Sequence, residues 1–249
     1  MSVELGLASG RGMPASAIVE ERNRDRRFFT GMAIAAALTV FAGFAPTYYL
    51  RGLFDARPLS PMVHLHGVVS TAWILLFLTQ TSLVAARRTG LHRRLGIVGV
   101  VLAVGVLVIG FITAVTAARN GVTPPGGPPP LAFLSVPLGT LFAFGLLAAT
   151  GLYNRRRSET HRRLMLLATI AILTPAIARF RHLGFGGPPL AIGGTCVFVL
   201  VCFCYDRLAH GRIHPAFLWG GLLLMLSLPA RFAVGRTDTW LAFASWLTR

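Results

Sequence analysis

The chain contains no lysine and few acidic residues. Its 24 basic residues are all arginine and stand against only eight Asp and Glu, so the formal net charge is +16. Because a retinal or pyridoxal Schiff base forms on a lysine amine, the absence of lysine excludes both, and with them the seven-helix retinal proteins. Charged residues make up 13% of the chain, about half of the share in a soluble domain. This composition predicts a membrane protein.

Cysteine is also scarce. The three cysteines, Cys196, Cys202 and Cys204, all lie in one apolar run. They cannot form a framework of disulfides, and their spacing does not match the ligand set of a zinc or iron–sulfur site. We interpret them as small buried residues.

Long apolar runs dominate the sequence. Hydrophobic residues make up 54% of the chain and fall into runs of about 20 residues, the length of helix that crosses the hydrocarbon core of a bilayer. The sequence therefore predicts an all-α fold, a polytopic transmembrane bundle of seven helices without a separate soluble domain. The predicted spans are 28–50, 61–86, 95–118, 131–153, 164–182, 189–205 and 215–234.

The arginines lie in short segments between these runs rather than in one stripe, which argues against a nucleic acid partner. Segments on one side of the predicted membrane hold 16 arginines, and those on the other side hold 8. The positive-inside rule then predicts a cytoplasmic N-terminus, and we expect the membrane to be a bacterial inner membrane. Three regions follow: an N-terminal cytoplasmic tail (1–27) without a cleavable signal peptide, a transmembrane domain (28–236) and an outer interfacial segment (237–249).

A nine-residue pattern occurs twice in the chain. Residues 87–95 read RRTGLHRRL, and residues 156–164 read RRSETHRRL. Each copy precedes an apolar run that ends in a Gly/Pro loop, GGPPPLA at 126–132 and GGPPLA at 186–191. This shared order of motif, helix, loop and helix is typical of parallel structural repeats. We therefore predict a duplicated helical hairpin, in which helices 3–4 match helices 5–6 and the two motif histidines share one membrane face.

Seven histidines are the most informative residues for function. Two of them open the second predicted span and a third ends the fifth, so antiparallel helices bring all three to a similar depth near the outer end. Arginines flank them at this level. The candidate cofactor-binding residues are His64, His66, His182, Gln80, Arg179, Arg181 and Arg231. Of these, His66 and His182 are the candidate metal ligands.

One face of the second span supports this hypothesis. Lipid penalises polar side chains, so the face that carries several of them is predicted to point into the bundle. Its residues are His66, Ser70, Trp73, Phe77 and Gln80. His64 lies about 200° around the helix from His66, so at most one of the two points inward. Neutral imidazoles are haem ligands and arginines pair with propionates, which predicts haem b. The alternative is that the histidines are interfacial and the arginines snorkel.

The other four histidines, His92, His161, His210 and His214, lie at the predicted inner end. Either His92 and His161 are a second ligand pair, or their HRRL motifs anchor the helices to anionic lipid headgroups. His210 and His214 have the one-turn spacing of two ligands on one metal, although Pro215 favours a helix start at that point. No Asp or Glu lies within a predicted span, so a carboxylate relay is not expected.

Parts of the sequence resemble known families. The run from His64 through Gln80 to LHRRLG at 91–96 resembles uncharacterised bacterial multi-pass membrane families with an HRRLG motif. More loosely, the paired histidines are similar to those of transmembrane di-haem b-type cytochromes, which implies haem and electron transfer. Seven helices with a late H-x-x-x-H also resemble the haemolysin III and alkaline ceramidase superfamily of membrane zinc hydrolases. That superfamily needs a buried acid, which no predicted span supplies.

These observations leave several functions open. The leading hypothesis is a redox or cofactor-binding membrane protein, surrounded by lipid and exchanging electrons with a quinone or another redox partner. The rival is a non-enzymatic protein, such as an assembly factor or a lipid-interacting scaffold. A membrane-embedded zinc hydrolase is the third hypothesis.

Overall fold

The computed structural model describes residues 15–54, 58–124, 126–180 and 187–249. Within these residues the regular structure is helical throughout, and six helices are long and apolar enough to cross a membrane. The chain is therefore an all-α helical bundle, as predicted. The α-helices are α1 (Ala15–Phe44), α2 (Pro61–Ala85), α3 (Thr89–Arg119), α4 (Pro130–Phe133), α5 (Ser135–Tyr153), α6 (Ser158–Ala171), α7 (Thr174–Ile177), α8 (Pro188–His210), α9 (Pro215–Val234) and α10 (Asp238–Leu247).

The first helix begins well before its apolar run. We predicted a span from residue 28, but α1 begins at Ala15 and continues to Phe44, where a π-helical turn (Ala45–Tyr49) follows. Its polar first half is held against the bundle, since Asp25 is buried and pairs with α6. The residues predicted as a tail are thus continuous with the first span from Ala15 onward.

The fifth predicted span is broken into α6 and α7. Pro175 has no N–H to donate to the carbonyl of Ala171, and the Thr174 hydroxyl donates to that carbonyl instead, at 3.2 Å. The helix therefore ends at Ala171 and resumes at Thr174. Together the two pieces still cross the bundle, because Arg162 pairs with the first half of α1 and Ala176 packs on Gly43 near its end.

Helix α6 is the central element of the bundle. Its side chains are buried on several faces at once, against α1, α5, α8 and α9. Its second half, residues 164–171, is apolar nearly all round, and most of these side chains are buried by protein. The fully buried residues include Leu166, Leu167, Ala168 and Ile170.

The three cysteines of α8 differ in their surroundings. Cys202 is buried, as we expected of a small apolar residue, and Cys196 is partly buried. Cys204 is exposed, so the expectation of burial was wrong at this position. It lies on a different side of α8 from Cys202, because residues two apart on a helix do not share a face.

The helix ends gather into two groups. We call the end of the bundle that carries Asp25, His92, His161 and His210 the inner end, and the opposite one the outer end. At the outer end Arg119 of α3 donates to the carbonyl of Thr248, at 3.0 Å. The last helix, α10, packs on α4 there and is too short to span a membrane.

Candidate functional site

Two histidines meet at the inner end. His92 lies in the first turn of α3 and His161 in the first turn of α6. Their ring centroids are 6.4 Å apart, with the ring planes inclined by 76°. Both belong to the repeated motif, so the two copies lie on the same face of the bundle, as the repeat predicts. The hairpins themselves differ, because α3 is one continuous helix and its counterpart is broken into α6 and α7.

Each imidazole also contacts a backbone group. The Nδ1 atom of His161 is 2.8 Å from the carbonyl oxygen of Gly151, which fixes the ring and leaves Nε2 outside that hydrogen bond. The ring of His92 interacts with the backbone of Gln80, while its Nδ1 atom is buried without a hydrogen-bond partner. Imidazoles that ligate metals are commonly held through their other nitrogen, as His161 is here.

The arginines of the two motif copies differ in their surroundings. Arg93 and Arg94 of the first copy are exposed, as expected of headgroup anchors. Arg162 and Arg163 of the second copy are not: Arg162 pairs with Asp25 at 2.7 Å, and only 2% of the Arg163 side chain is exposed. The anchor interpretation therefore fits the first copy and fails for the second.

A buried ion pair lies beside this motif. The guanidinium of Arg163 donates to both carboxylate oxygens of Asp206, with Nη2 2.7 Å from Oδ1 and Nε 3.0 Å from Oδ2. Asp206 is fully buried within α8, and Asp25 is buried within α1. Both acids lie outside the predicted spans, and they are buried in the bundle because both helices continue beyond their apolar runs. The arginines compensate the charge of these carboxylates and so lower the cost of burying them.

The last two histidines of the chain, His210 and His214, have different hydrogen-bond partners. His210 lies between two carboxylates, with Nδ1 3.0 Å from Glu21 and Nε2 3.1 Å from Asp25. His214 instead caps α9, because its Nδ1 accepts the N–H of Ala216 at 3.0 Å. Tyr205 donates to Asp25 and completes this cluster. The one-turn spacing of the two histidines therefore reflects a helix end, and they do not converge on a shared position.

At the outer end, the predicted residues are only partly brought together. His64 is exposed, and His66 is partly buried, close enough to the Arg179 guanidinium for an electrostatic interaction. Arg179 stacks on the ring of Phe44, 4.5 Å from its centroid. His182 and Arg181 lie outside the described residues, so the structure does not test the predicted ligand pair.

The predicted inward face of α2 does point into the bundle. Trp73 and Phe77 are buried, and Trp73 donates from Nε1 to the hydroxyl of Thr169 on α6, at 3.3 Å. At the two ends of this face His66 and Gln80 are partly buried, and the Gln80 side-chain oxygen lacks a hydrogen-bond partner. Gln80 thus lies near the inner histidine pair, not near His66.

Arg231 is buried rather than snorkelling. Only 6% of it is exposed, and its guanidinium donates to Thr140 of α5 at 2.8 Å and to Ser227 at 2.9 Å. Neither partner carries a charge. Among the described residues Arg163 is also buried, but it faces carboxylates, and Arg231 differs from it in this respect.

Sequence reasoning missed the acidic partners at the inner end. Asp25 and Asp206 lie outside the apolar runs, and a prediction based on those runs assigns such residues to loops. One signal was present: Asp206 precedes His210 by four residues, which is the spacing of neighbours on one helical face.

The helices and the distribution of arginine define a multi-pass integral membrane protein. No protein-family model, curated protein or solved structure matches the chain.

Proposed function

We propose that this integral membrane protein binds a metal-centred redox cofactor, haem b, between His92 and His161 at the inner end of the bundle. The observation that carries the proposal is the 6.4 Å separation of the two ring centroids. Two imidazoles on opposite sides of one metal, each with a metal–nitrogen bond of about 2.0–2.1 Å, have centroids about 6 Å apart. The hydrogen bond between His161 and the Gly151 carbonyl holds that ring as ligating imidazoles are held.

The residues around the pair favour haem over a bare cation. No group of three His, Cys, Asp or Glu in the described part of the chain is arranged to hold a metal ion. Haem iron needs only axial ligands from the protein, because the porphyrin supplies the rest. The exposed guanidiniums of Arg93 and Arg94 repel a divalent cation and attract the propionates of haem.

The arginine distribution supports an orientation for this site. The sequence segments on the predicted cytoplasmic side hold 16 arginines and the others hold 8, so the positive-inside rule orients the N-terminus and the histidine pair toward the cytoplasm of a bacterial inner membrane. Exposed apolar side chains on the long helices suit a lipid surround. A quinone in the bilayer or a redox protein at the cytoplasmic surface is the corresponding electron partner.

The outer site is a second proposal. His66 and Arg179 approach each other, and a π-helical turn, a feature frequent at functional sites, follows α1 at the same end. A cofactor there needs a second imidazole, for which His182 is the candidate.

Absorption spectra of the detergent-purified protein from haem-replete cells test both sites. We expect a haem spectrum of the six-coordinate, low-spin type, lost or converted to high spin in His92→Ala and in His161→Ala. The matched control is His64→Ala, since His64 is exposed and should leave the spectrum unchanged.

Other outcomes separate the alternatives. If His66→Ala loses the haem spectrum and the two inner variants keep it, the cofactor binds at the outer end. A stoichiometric metal without a haem band that depends on both inner histidines indicates a bare ion. A colourless, metal-free protein overturns the proposal and favours the scaffold or assembly-factor hypothesis.

A further inference from the structure

Arg231 points toward the middle of the bundle, away from the outer surface. It lies in the last turn of α9, and its own carbonyl accepts a hydrogen bond from Ser135, the first residue of α5. Its guanidinium instead reaches Thr140, five residues further along α5, and Ser227, one turn back along α9. Snorkelling carries a charge toward water, so this direction is the opposite of snorkelling.

The contacts of the guanidinium leave its charge uncompensated within the described residues. The hydroxyls of Thr140 and Ser227 donate their own protons to the carbonyls of Val136 and Leu224, so each can only accept from Arg231. The Nε atom is buried without a partner. Of the five N–H groups of an arginine, two are used here, and no described carboxylate forms an ion pair with it.

The neighbouring backbone is shaped to admit this side chain. A Cβ atom on Gly139 of α5 would lie 2.7 Å from the Cγ and Cδ atoms of Arg231. A glycine at this position therefore gives the arginine stem its path between α5 and α9. Burying a charge among membrane helices is costly, so an arginine that faces the bundle without a counter-charge is a candidate ligand-binding residue.

We propose that Arg231 binds an oxyanion, a carboxylate or phosphate group, in the outer half of the bundle between α5 and α9. The unused N–H groups match such a ligand, because a planar guanidinium binds carboxylate and phosphate oxygens through paired hydrogen bonds. The group comes either from a free anion or from the headgroup of a phospholipid. This site lies at the opposite end of the bundle from the histidine pair and does not depend on a cofactor there.

Thermal unfolding of the purified full chain tests the proposal with defined probes. The melting temperature is measured in detergent with increasing phosphate or acetate, with chloride keeping the ionic strength constant, and in nanodiscs of phosphatidylcholine with and without phosphatidylglycerol. We expect the melting temperature to rise to a plateau either with the added anions in detergent or with phosphatidylglycerol in nanodiscs. A response to phosphate or acetate identifies a free anion, and a response to phosphatidylglycerol alone identifies a lipid headgroup.

Variants tie the response to this residue. Arg231→Gln should weaken binding about 10-fold to 100-fold, the usual effect of losing hydrogen bonds to a charged group. If that variant does not fold, Arg231→Lys keeps the charge without the planar fork and should still bind more weakly than the native protein. Arg236→Gln, at an exposed arginine just beyond α9, is the matched control and should respond as the native protein does.

Two results overturn the proposal. One is a melting temperature that none of the probes raises in the native protein. The other is a response that stays at the native strength in whichever of the two Arg231 variants folds, because the anion would then bind elsewhere on the protein.

Discussion

At the scale of single residues, the same position of the repeated motif is exposed in one copy and buried in the other. Arg94 and Arg163 are equivalent in the repeated sequence, yet Arg94 is exposed and Arg163 is buried against Asp206. The motif alone could not distinguish them, because burial depends on which helices surround each copy. Asp206 belongs to no motif, and it is buried because α8 continues past its apolar run to His210.

This difference predicts unequal effects of one substitution. Arg163→Gln leaves Asp206 buried without its main partner, and the loss of one member of a buried ion pair costs about 3–5 kcal/mol. Arg94→Gln, at the exposed equivalent, should change the free energy of unfolding by less than about 0.5 kcal/mol. Reversible unfolding in mixed detergent micelles measures both values. Equal effects would mean that the Arg163–Asp206 pair adds no stability.

A second prediction at this scale concerns pH. Burial, and then the positive charge of Arg163, hold the pKa of His214 below its ordinary value. The folded state therefore binds fewer protons at this site than the unfolded state, so the contribution of His214 to stability is complete above about pH 6.5 and is lost as the pH falls below it. Protonation of Nδ1 also removes the acceptor that caps α9.

His214→Asn separates this effect from other titrations. Asparagine is a good N-cap and does not titrate, so the variant should match the native protein at about pH 7.5 and lose less stability between about pH 6.5 and pH 5. The measurement is the free energy of unfolding across this range. Parallel curves for the two proteins would contradict the assignment.

At the scale of helices, the apolar runs predicted most elements well, because the length and hydropathy of a run determine whether it can span a bilayer. The runs did not predict the start of α1 at Ala15 or the break after Ala171. The first depends on ion pairs with distant parts of the chain. The second had a local signal in Pro175, but a proline within a span does not by itself distinguish a kink from a break.

The contact between α1 and α7 predicts the effect of a single added methyl group. A Cβ atom on Gly43 would lie 2.3 Å from the carbonyl oxygen of Ala176, which belongs to the backbone and cannot rotate away. Gly43→Ala should therefore destabilise the protein by about 1–3 kcal/mol through overpacking.

The control lies in the same helix. A Cβ atom on Gly31 meets nothing within 4 Å, so Gly31→Ala should be neutral or should stabilise α1 by up to about 1 kcal/mol, the usual gain in helix propensity. The free energies of unfolding of the two variants, measured in the same micelles, should differ by at least about 1 kcal/mol. A neutral Gly43→Ala would show that α1 and α7 do not pack this closely.

At the scale of the whole molecule, the candidate site was only partly predictable. The repeat predicted that His92 and His161 share one face, but their approach to 6.4 Å depends on how α3 and α6 each pack against α5. No periodicity in the sequence encodes that packing. The outer site was proposed from the depth of its residues and from one face of the second span, and neither determines which side chains of different helices meet.

The orientation of the bundle in the membrane is a further property of the whole molecule. The 119–130 loop belongs to the outer end, where Arg119 contacts Thr248, and the 206–214 segment belongs to the inner end, where Asp206 pairs with Arg163. The arginine excess in the segments of the inner end predicts that this end faces the cytoplasm.

Reporter fusions test this orientation, because alkaline phosphatase is active only after export and a fluorescent protein matures in the cytoplasm. A phosphatase fusion in the 119–130 loop should be active and one in the 206–214 segment inactive, with the fluorescent protein giving the reverse. Removing Arg87 and Arg88 together should weaken this bias without reversing it, since the remaining excess still favours the same side. Phosphatase activity in the 206–214 segment of the native protein would place the histidine pair outside the cytoplasm and contradict the proposed orientation.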